Sequence, residues 1–125
     1  QGGCQAECGA AAAMAAAAGV ELCGGDAQVS MDAAAFTIKA VMGLVCDLVA
    51  GLVEVPCVKR NAFGAVQALL AIDMALAGIK SVIPIDEVID AMGKVGNMMH
   101  PSLRETSLGG LGTTKTGIEI AQRFK

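Results

Sequence analysis

Cysteine is the residue type whose positions in this sequence point most directly to chemistry. Cys46 and Cys57 lie at the two ends of one segment, and Cys4 lies far upstream. Gly51 and Pro56 prevent a continuous helix between the first two, so each thiol lies at a break in regular structure. A thiolate at such a break can point at a metal or a substrate instead of at its own helix. We therefore expect the function of this chain to lie on the loop from Cys46 to Cys57.

The spacing of the cysteines excludes several common metal sites. There is no CxxC pair, and the single histidine, His100, is remote, so no zinc ribbon or zinc finger pattern is present. The compact ferredoxin pattern, with four cysteines in about a dozen residues, is also missing. Thiolates from Cys4, Cys46 and Cys57 are too few for a closed four-coordinate site but suit a cluster with one open position. The alternative is that these cysteines are small buried hydrophobic residues.

The composition predicts one helical domain. With 125 residues, the chain is long enough to bury a core without disulfides, and its five cysteines cannot all be paired. Hydrophobic residues make up 54% of the chain, yet it has only three phenylalanines and no tryptophan or tyrosine. Such a core of alanine and aliphatic residues is typical of closely approaching helices.

Charge and hydropathy restrict the partners and the location. The net charge of −3 argues against nucleic acid as a partner, because phosphate binding needs clustered lysine and arginine. The longest uncharged runs, residues 8–20 and 61–72, are shorter than the roughly 20 residues of a membrane span. No basic region precedes them, as a signal peptide would require. We expect a cytoplasmic domain with no membrane partner.

Glycine, proline and capping residues divide the chain into five predicted helices. Gly24 and Gly25 end the first, Asp26 is a candidate N-cap for the second, Pro56 precedes the third, and Gly78 ends it. No stretch alternates with a period of two, so we predict an all-α fold without an internal domain boundary in residues 1–125. The cysteine-bearing loop lies between the second and third helices. The predicted helices span residues 5–22, 27–42, 57–77, 86–98 and 116–124.

Three segments of this sequence resemble a known family in order and spacing. They are residues 3–7 (GCQAE), residues 46–62 with CD followed by GLVEVPCVKRNA, and residues 103–111 (LRETSLGGL). This pattern is similar to the C-terminal part of the alpha chain of iron–sulfur-dependent bacterial L-serine dehydratase. The resemblance covers nearly the whole chain and implies that it is part of the cluster-binding catalytic domain.

The resemblance implies a set of metal ligands. Three cysteines hold a [4Fe–4S] cluster in that family, and the matching positions here are Cys4, Cys46 and Cys57. We expect their sulfur atoms to converge. Cys8 and Cys23 match no ligand position and are interpreted as packing thiols. Cys8 remains an alternative ligand, because it lies one helical turn from Cys4 on the same face.

Two departures from the family pattern have consequences. The family usually has proline after the Cys-Asp pair, and Leu48 stands there in this chain, so we expect a looser loop around Cys46. Single-chain relatives carry a C-terminal tail that ends in cysteine, and this sequence ends at Lys125. The resemblance thus implies the two-subunit type, with a beta chain and the N-terminal part of the alpha chain as partners.

The implied activity is elimination of water from L-serine, which gives pyruvate and ammonia, with an iron that lacks a cysteine ligand as Lewis acid. We expect the catalytic base to lie upstream of this segment, and His100 to be a solvated turn residue. The alternatives are a related iron–sulfur lyase that acts on cysteine or another β-substituted amino acid, and a noncatalytic helical module with buried cysteines.

Four further polar residues are candidates for the site. Arg60 and Asn61 follow Cys57 directly and could donate hydrogen bonds to a cluster sulfide or to the substrate carboxylate. The alternative for both is a salt bridge at the start of a helix. Arg104 and Thr106 precede a glycine and threonine loop, residues 108–114, whose backbone amides could face an anion. They could line the substrate pocket or hold that loop to the core.

Overall fold

The computed structural model describes residues 2–124. These residues contain no strand, and the all-α prediction is confirmed. The predicted helix boundaries agree with the structure to within about two residues, except that a short 3₁₀ turn, Cys4–Ala6, precedes the first helix. Further 3₁₀ turns lie at Pro101–Leu103 and Gly110–Thr113. The helices are Cys8–Leu22 (α1), Ala27–Ala40 (α2), Cys57–Leu76 (α3), Ile85–Met98 (α4) and Lys115–Gln122 (α5).

The main core lies where α1, α2 and α3 meet. Its side chains are small, and Ala16, Ala33 and Ala71 come one from each helix. Because alanine adds only a methyl group, the three backbones can approach closely, and the buried area comes from many short contacts. The alanine-rich α1 is buried toward α2 and α3, but the face that carries Met14 is exposed. The expectation that an apolar helix is buried on all sides therefore holds for only part of α1.

Local signals fix the ends of α2 and α3. The Asp26 side chain accepts a hydrogen bond of 2.9 Å from the Val29 amide, so the predicted N-cap is confirmed. Gly78 has a φ of +87° directly after α3, where L-residues are disfavoured. Helix α4 packs on α2 through Val88, which belongs to a second cluster with Ala35 and Ile38. In the part of the chain that the structure describes, no helix is long and apolar enough to cross a membrane.

The cysteine-bearing loop enters the interior before it returns to the surface. Cys46, Asp47, Leu48 and Val49 are all buried, whereas the second half of the loop is exposed. Burial of Leu48 restrains the position at which the family pattern has proline. The backbone of Cys46 pairs with the segment beyond α4. The Cys46 amide donates a hydrogen bond of 2.9 Å to the Leu103 carbonyl oxygen.

Candidate functional site

Cys4, Cys46 and Cys57 come from three parts of the chain, and Cys4 is near enough to the other two for its charge to affect their pKa values. Cys4 lies in the 3₁₀ turn before α1, Cys46 in the loop after α2, and Cys57 is the first residue of α3. The Gln5 amide donates a hydrogen bond of 3.1 Å to the Leu44 carbonyl, which fastens the turn with Cys4 to the chain just before Cys46. All three thiols are free, with Cys4 and Cys46 buried and Cys57 half-buried.

The charge of Cys4 affects the pKa values of both Cys46 and Cys57. The pKa of Cys46 is raised to about 11, first by burial and then by the charges of Cys4, Glu105 and Cys57, in that order. Burial and then Cys4 also raise the pKa of Cys57, against the opposing charge of Arg60. Negative charges at these positions therefore repel one another, and a positive group among them would remove the repulsion.

Cys8 is a fourth thiol at the same place. Its Sγ lies 3.6 Å from Sγ of Cys4 and donates a hydrogen bond of 3.2 Å to Oδ1 of Asn61. Burial and the contact with Cys4 raise the pKa of Cys8 to about 11. The predicted shared face of Cys4 and Cys8 is thus present, and the described partner of Asn61 is the Cys8 thiol.

Cys23 lies away from this group, and the interpretation of Cys23 as a packing thiol is wrong. It follows the last residue of α1 and is exposed. Its neighbour Leu22 is also exposed, because the chain turns at Gly24 and the described residues leave this end of α1 uncovered. Among the five cysteines, Cys23 is the exposed one, and its thiol does not pack in the core as predicted.

Asp47 and Arg60 connect the loop to α3 and to the glycine loop. Arg60 Nη1 lies 2.7 Å from Oδ1 of the buried Asp47 and 3.0 Å from the Val45 carbonyl oxygen. Burial lowers the pKa of Arg60, but Asp47 and Cys4 outweigh this effect and raise it. The other Asp47 oxygen accepts a hydrogen bond of 3.0 Å from the Leu111 amide. The salt bridge predicted as an alternative role of Arg60 is therefore present. The anion that a backbone amide of the glycine loop contacts is the Asp47 carboxylate.

Arg104 and Thr106 make hydrogen bonds to the main chain. Arg104 donates to the carbonyl groups of Asn97 and Met99 at the end of α4, with a distance of 2.8 Å to Asn97. The Thr106 hydroxyl donates to the Pro101 carbonyl at 3.2 Å. These contacts hold the segment beyond α4 in place. Arg104 also lines a cavity of about 240 Å³ beside Cys46, together with Glu7 and Glu105.

His100 is the exposed cap of a 3₁₀ turn, as expected of a turn residue. Its Nδ1 lies 2.8 Å from the Ser102 hydroxyl and accepts a hydrogen bond from the Ser102 amide. Between residues 2 and 124, no group of three or more histidine, cysteine, aspartate or glutamate side chains is placed to hold a metal ion.

Gln5 is a positioning residue that the sequence pattern did not single out. It is fully buried next to Cys4, and its Nε2 donates a hydrogen bond of 3.0 Å to the Met92 carbonyl oxygen of α4. Its Oε1 accepts a hydrogen bond of 2.8 Å from the Gly43 amide. Gln5 therefore joins the Cys4 turn to α4 and to the start of the cysteine-bearing loop. Its position beside Cys4 was the one feature of the sequence that could have indicated this role. Its partners, Met92 and Gly43, are remote in sequence and could not be identified.

Comparison with known proteins decides the family. The family model for the serine dehydratase alpha chain matches residues 1–112. The chain belongs to the serine dehydratase alpha chain family. It is 62% identical over 123 residues to the probable L-serine dehydratase alpha chain of Bacillus subtilis, which covers 98% of this chain and 41% of that protein. The resemblance inferred from the sequence motifs is thereby confirmed.

Other members of the serine dehydratase alpha chain family show the same partial coverage. The chain is 56% identical over 124 residues to the L-serine dehydratase alpha chain of Peptoniphilus asaccharolyticus, with 99% of this chain and 42% of that protein covered. It is 60% identical over 123 residues to the probable L-serine dehydratase alpha chain of Latilactobacillus sakei, with 98% and 59% covered. The chain thus spans between about two-fifths and three-fifths of these relatives.

Proposed function

We propose that this chain is the cluster-binding part of an L-serine dehydratase alpha chain and acts in a cytoplasmic enzyme that converts L-serine to pyruvate and ammonia. Cys4, Cys46 and Cys57 hold a [4Fe–4S] cluster in this proposal. The observation that supports it is that three free thiols come from separate segments and that the charge of Cys4 raises the pKa of the other two. The substrate is proposed from the relatives, which are L-serine dehydratase alpha chains.

The residues at this position fit an iron–sulfur cluster. Thiolate is the ligand type that such clusters use, and each ligand binds a different iron, so the sulfurs need not be as close as the ligands of one ion. Burial raises the pKa of Cys46 and Cys57, and their mutual charges add to the effect. Binding to iron deprotonates thiols and offsets that repulsion. Three ligands leave one iron of the cube without a cysteine.

The reaction is a β-elimination. Loss of the α-proton and of hydroxide from L-serine gives 2-aminoacrylate, which tautomerises to an imine and hydrolyses to pyruvate and ammonia. When bound, the cluster supplies a Lewis acid for the departing hydroxyl. The chain itself holds the ligand segments in register: Gln5 fixes the turn with Cys4, and the Arg60–Asp47 pair fixes Cys57 to the Cys46 loop.

The proposed enzyme needs more than these residues. Among the described residues, the one histidine caps an exposed turn, and we place the α-proton base in the upstream part of the alpha chain. Exposed apolar residues on α3 are consistent with cover by that part or by a beta chain. They are Phe63, Val66, Leu69 and Leu70.

Anaerobic reconstitution of the complete protein with iron and sulfide tests the proposal. We expect about four irons per alpha chain, and pyruvate formation from L-serine. Cys46→Ala removes the iron, and Cys23→Ala, the control at an exposed thiol, retains it. Iron binding that does not depend on Cys46 would falsify the cluster assignment. Faster turnover of L-cysteine than of L-serine would favour the related lyase.

A further inference from the structure

We propose that Cys4 and Cys8 are an oxidisable dithiol pair, which peroxide joins into a disulfide whenever Cys4 is not bound to iron. The pairing is inferred from the contacts of these two residues alone. Its consequence for the cluster, loss and recovery of one ligand, rests on the proposed function.

The two sulfur atoms are in contact and can move together. They lie 3.6 Å apart, so a bond of about 2.05 Å requires an approach of about 1.5 Å. Cys4 lies in a 3₁₀ turn that ends at Ala6, and Cys8 is the first residue of α1. The first hydrogen bond of α1 runs from the Ala11 amide to the Glu7 carbonyl. A shift of Cys4 therefore leaves the hydrogen bonds of the helix intact.

The surroundings hold the two sulfur atoms of this pair together and leave one of them open to a small oxidant. Asn61 accepts the hydrogen bond of Cys8 and holds its sulfur beside Cys4. Cys8 also lines two surface cavities, of about 430 Å³ and about 180 Å³, through which a small oxidant can reach it. Cys23 lies after the far end of α1 and is exposed, so it has no part in the pair.

The chemistry uses hydrogen peroxide as the oxidant. The sulfur of one cysteine attacks the O–O bond, which yields a sulfenic acid and, after the thiol proton is taken up by the departing hydroxide, one water. The second thiol attacks the sulfenic sulfur, forms the S–S bond and releases the other water. Two thiols lose two electrons and two protons, and one peroxide becomes two waters.

The disulfide protects one proposed ligand. A sulfenic acid that meets no second thiol is oxidised by a second hydrogen peroxide to sulfinic acid, with release of water, and ordinary thiol reductants do not reverse this step. Closure onto Cys8 stops the oxidation of Cys4 at a state that a dithiol restores. The pair thus keeps the Cys4 position recoverable after loss of iron.

Peptide mapping of the complete protein tests this directly. The protein is made metal-free with a chelator, treated with one equivalent of hydrogen peroxide, alkylated and cleaved after glutamate. Glu7 separates Cys4 from Cys8, and Glu21 separates Cys8 from Cys23, so the disulfide appears as two linked peptides. We expect this linked pair to exceed any other cysteine pairing by roughly tenfold and to disappear with dithiothreitol.

Variants keep the test independent of cluster binding. Cys8→Ser preserves a hydrogen-bond donor toward Asn61. With an excess of peroxide, at least about three equivalents per thiol, we expect its Cys4 to gain two or three oxygens and to bind no iron after reduction, whereas Cys4 of the unchanged protein at the same dose is recovered by dithiothreitol. Cys23→Ala is the matched control and retains the linked pair. Linkage of Cys4 to Cys46 or Cys57, or no linked pair at a peroxide dose that consumes Cys23, overturns the inference. Absence of iron binding before oxidation, with the linked pair still formed, counts against the proposed function alone.

Discussion

Arg60 donates a hydrogen bond of 2.7 Å from Nη1 to Oδ1 of Asp47 and thereby joins the start of α3 to the segment that carries Cys46. The side chain of Asp47 is 6% exposed and that of Arg60 is 20% exposed. The pair is therefore largely removed from water. The second carboxylate oxygen of Asp47, Oδ2, accepts a hydrogen bond from the Leu111 amide. The Asp47 carboxylate therefore connects the cysteine-bearing loop to α3 and to the glycine loop.

The first prediction concerns this carboxylate. Asp47→Ala leaves the Arg60 guanidinium without its partner and the Leu111 amide without its acceptor. Loss of one partner of a buried pair costs about 3 to 5 kcal/mol, and the partial exposure of Arg60 reduces this to about 2 to 3 kcal/mol. Urea unfolding measures the loss. Glu54→Ala, at an exposed position of the same loop, is the control and changes stability by less than about 0.5 kcal/mol. Equal stabilities of the two variants would contradict the assigned role.

The second prediction concerns Gly110, which packs against the same side chain. Its φ is +60°, and an added Cβ would lie 2.5 Å from Cβ of Asp47. Gly110→Ala therefore combines a left-handed conformation, which costs about 1 to 2 kcal/mol, with a steric overlap. Gly78→Ala has the same conformational cost, with no atom within 4 Å of the new Cβ. We expect thermal unfolding to show the larger loss for Gly110→Ala. A loss no greater than that of Gly78→Ala would show that Asp47 moves freely.

The third prediction concerns Gln5, whose amide is fully buried. Gln5→Leu keeps the approximate volume but removes the acceptor of the Gly43 amide and the donor to the Met92 carbonyl. Each unsatisfied buried group costs about 1 to 3 kcal/mol, so we expect a loss of about 2 to 4 kcal/mol by urea unfolding. Gln28→Leu, on the exposed side of α2, is the control. A stable Gln5→Leu protein with unchanged iron content would exclude the positioning role.

The fourth prediction concerns thiol reactivity against pH in the metal-free protein. Burial, with the charge of Cys4, raises the pKa of Cys46 to about 11. At pH 8 such a thiol has roughly one hundredth of the thiolate of an ordinary cysteine, and the thiolate is the reactive form. Iodoacetamide labelling with peptide mapping should show Cys23 reacting first. The rate at Cys46 should rise about tenfold per pH unit up to about pH 10. A rate that levels off below pH 9 would contradict the raised pKa.

The same pKa shift sets the pH dependence of stability. A thiol whose pKa is raised in the folded state binds its proton more tightly there than in the unfolded chain. The stability linked to Cys8 and Cys46 is therefore fully present below about pH 9 and is lost as the pH rises toward 11. Urea unfolding of the metal-free protein between pH 8 and pH 11 should show this decline. Cys8→Ser should show a shallower decline, and an identical slope would argue against the assignment.

Local signals predicted the helices well, because their causes are local. Asp26 caps α2 through a neighbour three residues away, and Gly78 ends α3 by its own conformation. The contacts of Gln5 and Asp47 could not be predicted, since their partners lie in α4 and in the glycine loop and meet them only after folding. Cys23 was misjudged because nothing in the pattern showed that the end of α1 stays uncovered.

Helices α1 and α2 lie between Cys4 and the segment that carries Cys46 and Cys57. No short stretch of the nascent polypeptide therefore contains the complete ligand set, and the set exists only after these helices have docked. For the proposed cluster, insertion is accordingly a late step of biogenesis that follows formation of the helical bundle.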